Sequence, residues 1–246
     1  MTLQSSPVLS MKPSWLIRNL VKLLDYRHTR HSFSQFGEDL IIDHALKLLN
    51  YQNFSYLDIG ANHPSRLSNS FYFYRKGSTG VLVEPDPHLF RKLQRKRPRD
   101  IVLNCGVSVN GNTGTQTLYL MSSNVLNTFS LEEAERIQRN SSYHIVDSID
   151  VDVLPVNSII DMYFSDIPFF MSIDVEGLDL QILRQINFAS YRPLLIVSET
   201  LTFDPASGGR KISSIIDFLI SKNYIIFADT RCNTIFVDSL CFQGHV

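Results

Sequence analysis

Four apolar segments of this chain end in carboxylates, and two of them run directly into glycine. Tyr56-Leu57-Asp58-Ile59-Gly60-Ala61-Asn62 is the first and Val81-Leu82-Val83-Glu84 the second. Met171-Ser172-Ile173-Asp174-Val175-Glu176-Gly177 and Val197-Ser198-Glu199 are the others. Apolar runs that stop at acids are how an open α/β sheet places ligand-binding groups beyond the carboxyl ends of its strands. Gly60 permits a sharp turn and close approach of a ligand. Glu84 falls where a ribose diol needs an acceptor pair. Any one of these acids could simply cap a following helix. Taken together they are costly to fold unless they bind something.

The spacing after Asp58 narrows the ligand. A dinucleotide site needs G-x-G-x-x-G, so that a pyrophosphate can rest on bare amides at a helix N-terminus. The run here is Gly60-Ala61-Asn62-His63-Pro64-Ser65, with one glycine and a proline that has no amide hydrogen. An anionic Asp58 would repel phosphate and suit a ligand that carries an ammonium and a sulfonium, as S-adenosylmethionine does. The competing readings are a buried Asp58 that closes a loop, a nicotinamide-dependent oxidoreductase on a related sheet, and a binding module without turnover. The end of the third strand, Asn104 to Val107, would cover a purine.

The elements that must position these residues alternate strand and helix. Strands are predicted at Phe54–Ile59, Thr79–Glu84, Asp100–Val107, Thr115–Met121, His144–Val153, Pro168–Asp174, Pro193–Glu199, Tyr224–Ala228 and Thr234–Val237. Helices are predicted from Glu38 to Leu49, over Arg66–Lys76 with Gly77 as its cap, from Pro87, and over Ser130–Asn140, Gly177–Ile186 and Lys211–Lys222. Ser32 and Gln35 stand at capping-box spacing before the first of these. Ser122–Asn127 reads as a polar loop. This alternation predicts an α/β fold with a mostly parallel sheet and helices on both faces.

Ser34-Gln35-Phe36-Gly37-Glu38-Asp39, Leu57-Asp58-Ile59-Gly60-Ala61-Asn62-His63-Pro64 and Ser172-Ile173-Asp174-Val175-Glu176-Gly177 resemble the FkbM-type S-adenosylmethionine-dependent methyltransferases, over roughly residues 32 to 238. The resemblance implies a Rossmann-like class I methyltransferase fold, with a seven-stranded sheet and a reversed last strand. It implies O-methylation of a sugar, glycan or other small hydroxylated acceptor. Cofactor contacts are then expected from Gln35, Asp58, Gly60, Asn62, Glu84, Pro85, Asn104, Gly106, Val107 and Asp174. Where members often carry a second glycine after the position of Asn62, this chain has His63-Pro64.

Methyl transfer needs an in-line approach and a group to accept the hydroxyl proton. Asp174, Glu176 and His63 are the candidates for that base, with Glu199 a third oxygen donor beside the first two. His63 could equally be a loop residue bonded to backbone. An all-oxygen set suits magnesium rather than zinc, although no dedicated metal-ligand cluster stands out.

Composition excludes more than it identifies. The 246 residues carry a net charge of −1 and are 44% hydrophobic, which suits a full globular core and gives no bulk attraction to nucleic acid. Three cysteines make neither a disulfide framework nor a zinc site. The run Arg91–Arg99 holds six cations and no aromatic for base stacking, and reads as the solvated end of a helix. Residues 1–31 read as an appendage around a basic amphipathic helix, Trp15–Leu24. That helix could dock on the protein or touch an anionic membrane surface. Residues 32–246 read as one domain. With no leader pattern at the start, cytoplasm is the expected compartment.

Overall fold

The computed structural model describes residues 29–164, 169–205 and 207–242. The helix expected at Trp15–Leu24 lies outside the described residues. The chain alternates helices and strands: α1 (Glu38–Leu48), β1 (Ser55–Ile59), α2 (Phe71–Lys76), β2 (Val81–Val83), α3 (Pro87–Lys96), β3 (Ile101–Leu103), β4 (Gly106–Val107) and β5 (Gly114–Met121). After a 3-10 turn (Asn124–Leu126) come α4 (Leu131–Asn140), β6 (Ile145–Leu154), α5 (Val156–Tyr163), β7 (Phe169–Ile173) and α6 (Asp179–Gln185). The last elements are β8 (Leu195–Glu199), α7 (Ser213–Ser221), β9 (Tyr224–Asp229), β10 (Asn233–Asp238) and the short α8 (Ser239–Phe242).

Seven strands form one sheet in the order β3-β2-β1-β7-β8-β10-β9. Neighbours are parallel, except that β10 runs antiparallel to both β8 and β9. This is the Rossmann-like class I methyltransferase arrangement expected from the sequence, reversed last strand included. The order turns outward from β1 and β7, and that switch point is where such sheets bind ligands.

Period-two alternation divides the core. Leu57 and Ile59 of β1 pack with Val156, Ile159 and Ile160 of α5, Ile182 and Leu183 of α6, and Ile215 and Leu219 of α7. Tyr56 of the same strand packs on the opposite face with Ile42 and Leu46 of α1, Phe73 of α2 and Leu93 of α3. Helices therefore cover both faces. Among the described residues no helix is long and apolar enough to cross a membrane.

Several expected boundaries move, each for a local reason. The strand expected over Asp100–Val107 is split. Ile101–Leu103 pairs with β2, whereas Gly106–Val107 joins a second, three-stranded sheet in the order β4-β6-β5. Asn104 breaks the ladder by donating Nδ2 to the carbonyls of Glu84 and Pro85, both at 3.0 Å. The helix expected from Arg66 begins only at Phe71, because His63 Nδ1 accepts the amides of Ser65 and Arg66 and Leu67 adopts a φ of 54°. The helix expected from Gly177 begins at Asp179, since Glu176 and Gly177 have φ of 51° and 92°. The helix expected from Lys211 begins at Ser213, because Lys211 bridges to Leu201 as extended chain. The helix α5 was not anticipated.

The capping box is also absent. Gly37 precedes α1 without a side-chain cap. Instead the buried Asp39 carboxylate gathers Ser32 Oγ (2.7 Å), the Phe33 amide (2.7 Å) and Ser34 Oγ (3.0 Å) from upstream.

The basic run holds a further correction. Arg91, Arg95, Lys96 and Arg99 are exposed as expected, but Arg97 is fully buried. Its guanidinium meets Asp100 Oδ2 at 2.6 Å, Ser70 Oγ at 2.9 Å and the Tyr56 hydroxyl at 3.0 Å. Tyr56 in turn donates to Asp100 Oδ1 at 2.7 Å, and Ser70 donates to Asp58. One cation thus satisfies acids and hydroxyls from β1, α2 and the turn after α3. Removing one member of a buried ion pair strands its partner at about 3–5 kcal/mol. Arg97→Ala is expected to lower stability by that amount in urea denaturation. A loss under about 1 kcal/mol, the scale of an exposed pair, would show that the network does not hold these elements.

Candidate functional site

The carboxyl ends of β1, β2, β7 and β8 open on one cleft of about 210 Å³. Gly60 sets its shape. The residue has a φ of 81°, and a Cβ there would overlap the carbonyl oxygen of Asp174. The amide of Asp174 donates to the Ile59 carbonyl at 3.1 Å, so the ladder between β1 and β7 continues one step past the strands. Only a residue without a side chain lets the two loops close on each other this way.

Glu84 stands at the end of β2 with a fixed orientation. The Asn62 amide donates to Oε2 at 2.7 Å and the Asp86 amide to Oε1 at 2.9 Å. Burial nevertheless pushes the Glu84 carboxyl up to about 8. A carboxylate has about four lone-pair positions, so two amides leave capacity for a vicinal diol. Asn62 is held at a φ of 47° and donates Nδ2 to the Asn124 carbonyl at 2.9 Å, which ties the glycine loop to the opposite wall.

Asp174, Glu176 and Glu199 bring carboxylate oxygens within 4.8 Å of one another. Asp174 is exposed at the cleft, while Glu176 and Glu199 are half-buried beside it. Burial and nearby Asp58 raise Asp174 to about 6. Burial followed by Asp174 and Glu199 raises Glu176. Burial, Asp174 and Asp179 push Glu199 up to about 9. Cys232 Sγ donates to Glu199 Oε1 at 3.4 Å. Such a set can share protons, take one from a hydroxyl, or attract a cation.

The expected site residues do not all meet here. Gln35, Gly60, Asn62, Glu84, Pro85, Gly106, Val107, Asp174 and Glu176 line the cleft. Asp58, His63 and Asn104 are not among its lining residues. Asp58 shares the Tyr56 face of β1 and accepts from Ser70 Oγ. His63 Nδ1 is committed to two backbone amides, and burial with neighbouring Lys92 and Arg66 lowers its basicity. Asn104 is spent on the carbonyls of Glu84 and Pro85.

Other groups at the site escaped sequence reasoning. Val125, Leu126 and Phe129 form an apolar wall opposite the glycine loop. The apolar pair inside a segment read as polar loop was the available signal. Asn233, also in the wall, donates Nδ2 to the buried Glu38 at 3.0 Å. Glu38 also receives Thr230 Oγ1 at 2.7 Å and the Phe36 amide at 2.8 Å. Burial alone would raise the Glu38 carboxyl, but these hydrogen bonds hold it below its ordinary value. Asp179 is buried beside the acid set, and its Oδ1 finds no hydrogen-bond partner among the described residues. Its position at the first turn of α6 looks like ordinary helix chemistry in the sequence.

Comparison with known proteins bears on this geometry. No protein of curated function matches the chain. Among solved structures it is similar to a TehB-like SAM-dependent methyltransferase from Corynebacterium glutamicum, at 10% identity and a TM-score of 0.42 over 91% of this chain and 96% of that one. It is similar to an O-methyltransferase from Bacillus cereus in complex with S-adenosylhomocysteine, at 13% identity and a TM-score of 0.38 over 94% and 93%. A third is the 1,6-didemethyltoxoflavin-N1-methyltransferase of Burkholderia thailandensis, at 8% identity and a TM-score of 0.40 over 96% and 93%. Likeness at that distance carries no argument about chemistry. The model of the methyltransferase FkbM domain matches residues 58–226, from the middle of β1 into β9 and through all four acid-bearing strand ends. The chain belongs to the FkbM methyltransferase domain family.

Proposed function

We propose that this protein is an S-adenosylmethionine-dependent O-methyltransferase whose acceptor is a hydroxyl of a small molecule, most simply a sugar or glycan. One observation carries the reading. Glu84, Asp174, Glu176 and Glu199 line the cleft, and no Lys, Arg or His lies among its described lining residues. A ligand with an ammonium and a sulfonium draws these carboxyls toward their ionised form and is favoured there, whereas a dinucleotide pyrophosphate finds no cation and is disfavoured. That preference also disfavours the nicotinamide reading.

The residues present fit the cofactor. Glu84 would hold the ribose hydroxyls in charge-assisted hydrogen bonds. Gly106 and Val107 give a purine a surface without polar side chains. Gln35, Asn62 and Asp174 would bound the amino-acid end. Asp58, turned toward Ser70 and Arg97, is a positioning residue: it anchors β1 just before the glycine turn. When bound, the cofactor supplies a methyl group already activated by its positive sulfur.

The protein's remaining task is to align the acceptor and remove its proton. The bound cofactor would supply the methyl group to the acceptor oxygen and keep the sulfur's electron pair, and the hydroxyl proton would pass to a carboxylate of this chain. Asp174 or Glu176 is placed to take it, with Glu199 sharing the charge. These carboxyls titrate above the usual carboxylate range, which makes them better bases than free ones. The reading needs no metal.

The cofactor assignment predicts that Glu84→Ala loses S-adenosylhomocysteine binding in calorimetry while its circular dichroism stays that of the wild type. Retained affinity would sink the pocket assignment. The base assignment predicts that Asp174→Asn or Glu176→Gln slows label transfer from methyl-labelled donor to a glycan extract by about a hundredfold or more. Affinity for S-adenosylhomocysteine should change far less. A chelator should leave the wild-type rate intact; loss restored by magnesium would assign these acids to a cation instead.

The acid set also predicts a pH signature without any acceptor. The unfolded chain ionises Glu199 near 4.5, whereas the folded protein resists until about 9. Stability is therefore lost as pH rises across that window. Glu199→Gln keeps an acceptor oxygen for Cys232 and removes the loss. Its Tm should exceed that of the wild type at about pH 8 and converge with it near the acid end of the window. A constant offset across the range would contradict the raised carboxyl.

A further inference from the structure

A second groove, of about 510 Å³, adjoins the cleft and shares Gln35, Glu199 and Phe203 with it. Glu199 therefore stands at the junction of the two. If the cofactor lies along Gly60, Glu84 and Val107, the acceptor hydroxyl arrives from the Glu199 side. The character of this groove then decides which acceptors are taken.

Its walls differ from those of the cleft. Phe36 is 61% exposed on one side, and Phe203 lies at the mouth of the shared region. Arg231 also lines the groove, the one Lys, Arg or His among the described residues that line either opening. Three backbone contacts hold it in place. Its amide donates to Asp229 Oδ1 at 2.6 Å, its carbonyl accepts from Lys211 Nζ at 3.0 Å, and its Nη2 donates to the Gly208 carbonyl at 3.3 Å. The carboxylates close to it are engaged elsewhere. Lys211 pairs with Asp229 at 2.7 Å, and Ser207 donates its amide and hydroxyl to Asp204 at 3.2 and 2.6 Å. Among the described residues Arg231 forms no ion pair. Cys232, the next residue, is the one that donates to Glu199.

We propose that this groove is the acceptor subsite and that it selects acceptors carrying an anionic group, a carboxylate or phosphate that Arg231 receives while a ring face packs against Phe36 and Phe203. The proposal rests on the methyltransferase reading for the direction of approach. A planar guanidinium offers several donors in a fork that matches either anion. Among the described residues that line the two adjoining openings, where every other charged group is a carboxylate, it is the one cation and so favours an anion over a neutral hydroxyl. An acceptor held by Arg231 and Phe36 would share the groove with Glu199, through which it adjoins the acid set.

The test uses the full chain and two matched pairs of probes: phenyl β-D-glucuronide against phenyl β-D-glucoside, and glucose 6-phosphate against glucose. Binding is titrated by ligand-observed NMR with and without saturating S-adenosylhomocysteine. In one pair at least, the anionic member should bind about tenfold more tightly, the scale of one charge-assisted contact. The pair that shows the preference identifies the anion. Arg231→Gln should bring the members within about twofold, Arg231→Lys should keep part of the preference, and Phe36→Ala should weaken both members alike. Affinity for S-adenosylhomocysteine should be unchanged in all three variants. Equal binding within both pairs, no binding of any probe, or a preference that survives Arg231→Gln overturns the proposal. So does a fall in S-adenosylhomocysteine affinity in Arg231→Gln, which would place Arg231 in the cofactor cleft. Failure of the wild type to bind S-adenosylhomocysteine overturns the cofactor reading instead, and the titrations without it still test the groove.

Discussion

The close approach of Gly60 to the Asp174 carbonyl is the constraint on which the site depends. Two parallel strands, β1 and β7, continue their pairing one residue past their ends through the Asp174 amide. The glycine loop and the acid-bearing loop are thereby held against each other. Everything that faces the cleft inherits this register: Asn62 on one side, Asp174 and Glu176 on the other. Glu84 is oriented by the Asn62 amide, so the far wall of the cleft is set from the same turn. Asn62 and Glu176, one in each loop, hold left-handed backbone that a residue with a side chain rarely adopts.

Around that contact the protein concentrates charge that does not favour folding. Several carboxyls meet in the cleft with no lining cation among the described residues, and their protonation is pushed upward by burial and by one another. The compensation lies elsewhere, on the other face of β1. There Arg97 is buried among Asp100, Ser70, Tyr56 and, through Ser70, Asp58. One face of β1 carries a satisfied polar network that ties the strand to α2 and to the turn after α3, whereas the acid set, beyond the ends of β7 and β8, is under-compensated and open to ligand. Stability that is absent from a binding site and supplied beside it is the usual division in enzymes.

The Gln35-Phe36-Gly37-Glu38-Asp39 segment works in the same way. Its acids are structural. Asp39 gathers the residues upstream, and Glu38 fastens the Phe36 amide to Thr230 and Asn233 at the β10 end of the sheet. Their effect is to present Gln35 to the cleft and Phe36 to the neighbouring groove. A motif that reads as chemistry in the sequence thus builds the wall where the cleft and the neighbouring groove meet.

The sequence by itself determined the fold and the rim of the site. Alternation of apolar strands with helices, acids at strand ends and a single glycine after Asp58 are local patterns, and local patterns survive into the structure because each strand must bury both faces. The identity of the cleft as an acid-lined cavity was legible for the same reason. What only the tertiary structure decided is which way individual side chains turn. Asp58 and Tyr56 share a face of β1 and so meet Ser70 and Arg97, not the cleft; one residue of register separates the two outcomes. His63 and Asn104 are polar residues in loops, and whether they meet ligand or backbone depends on neighbours far away in sequence. Arg97 reads like the cations on either side of it, and only the packing of α3 against β1 takes it out of water. The meeting of Glu199 with Arg231 and Phe36 joins segments that are nearly two hundred residues apart, and no spacing rule along the chain could have brought them together.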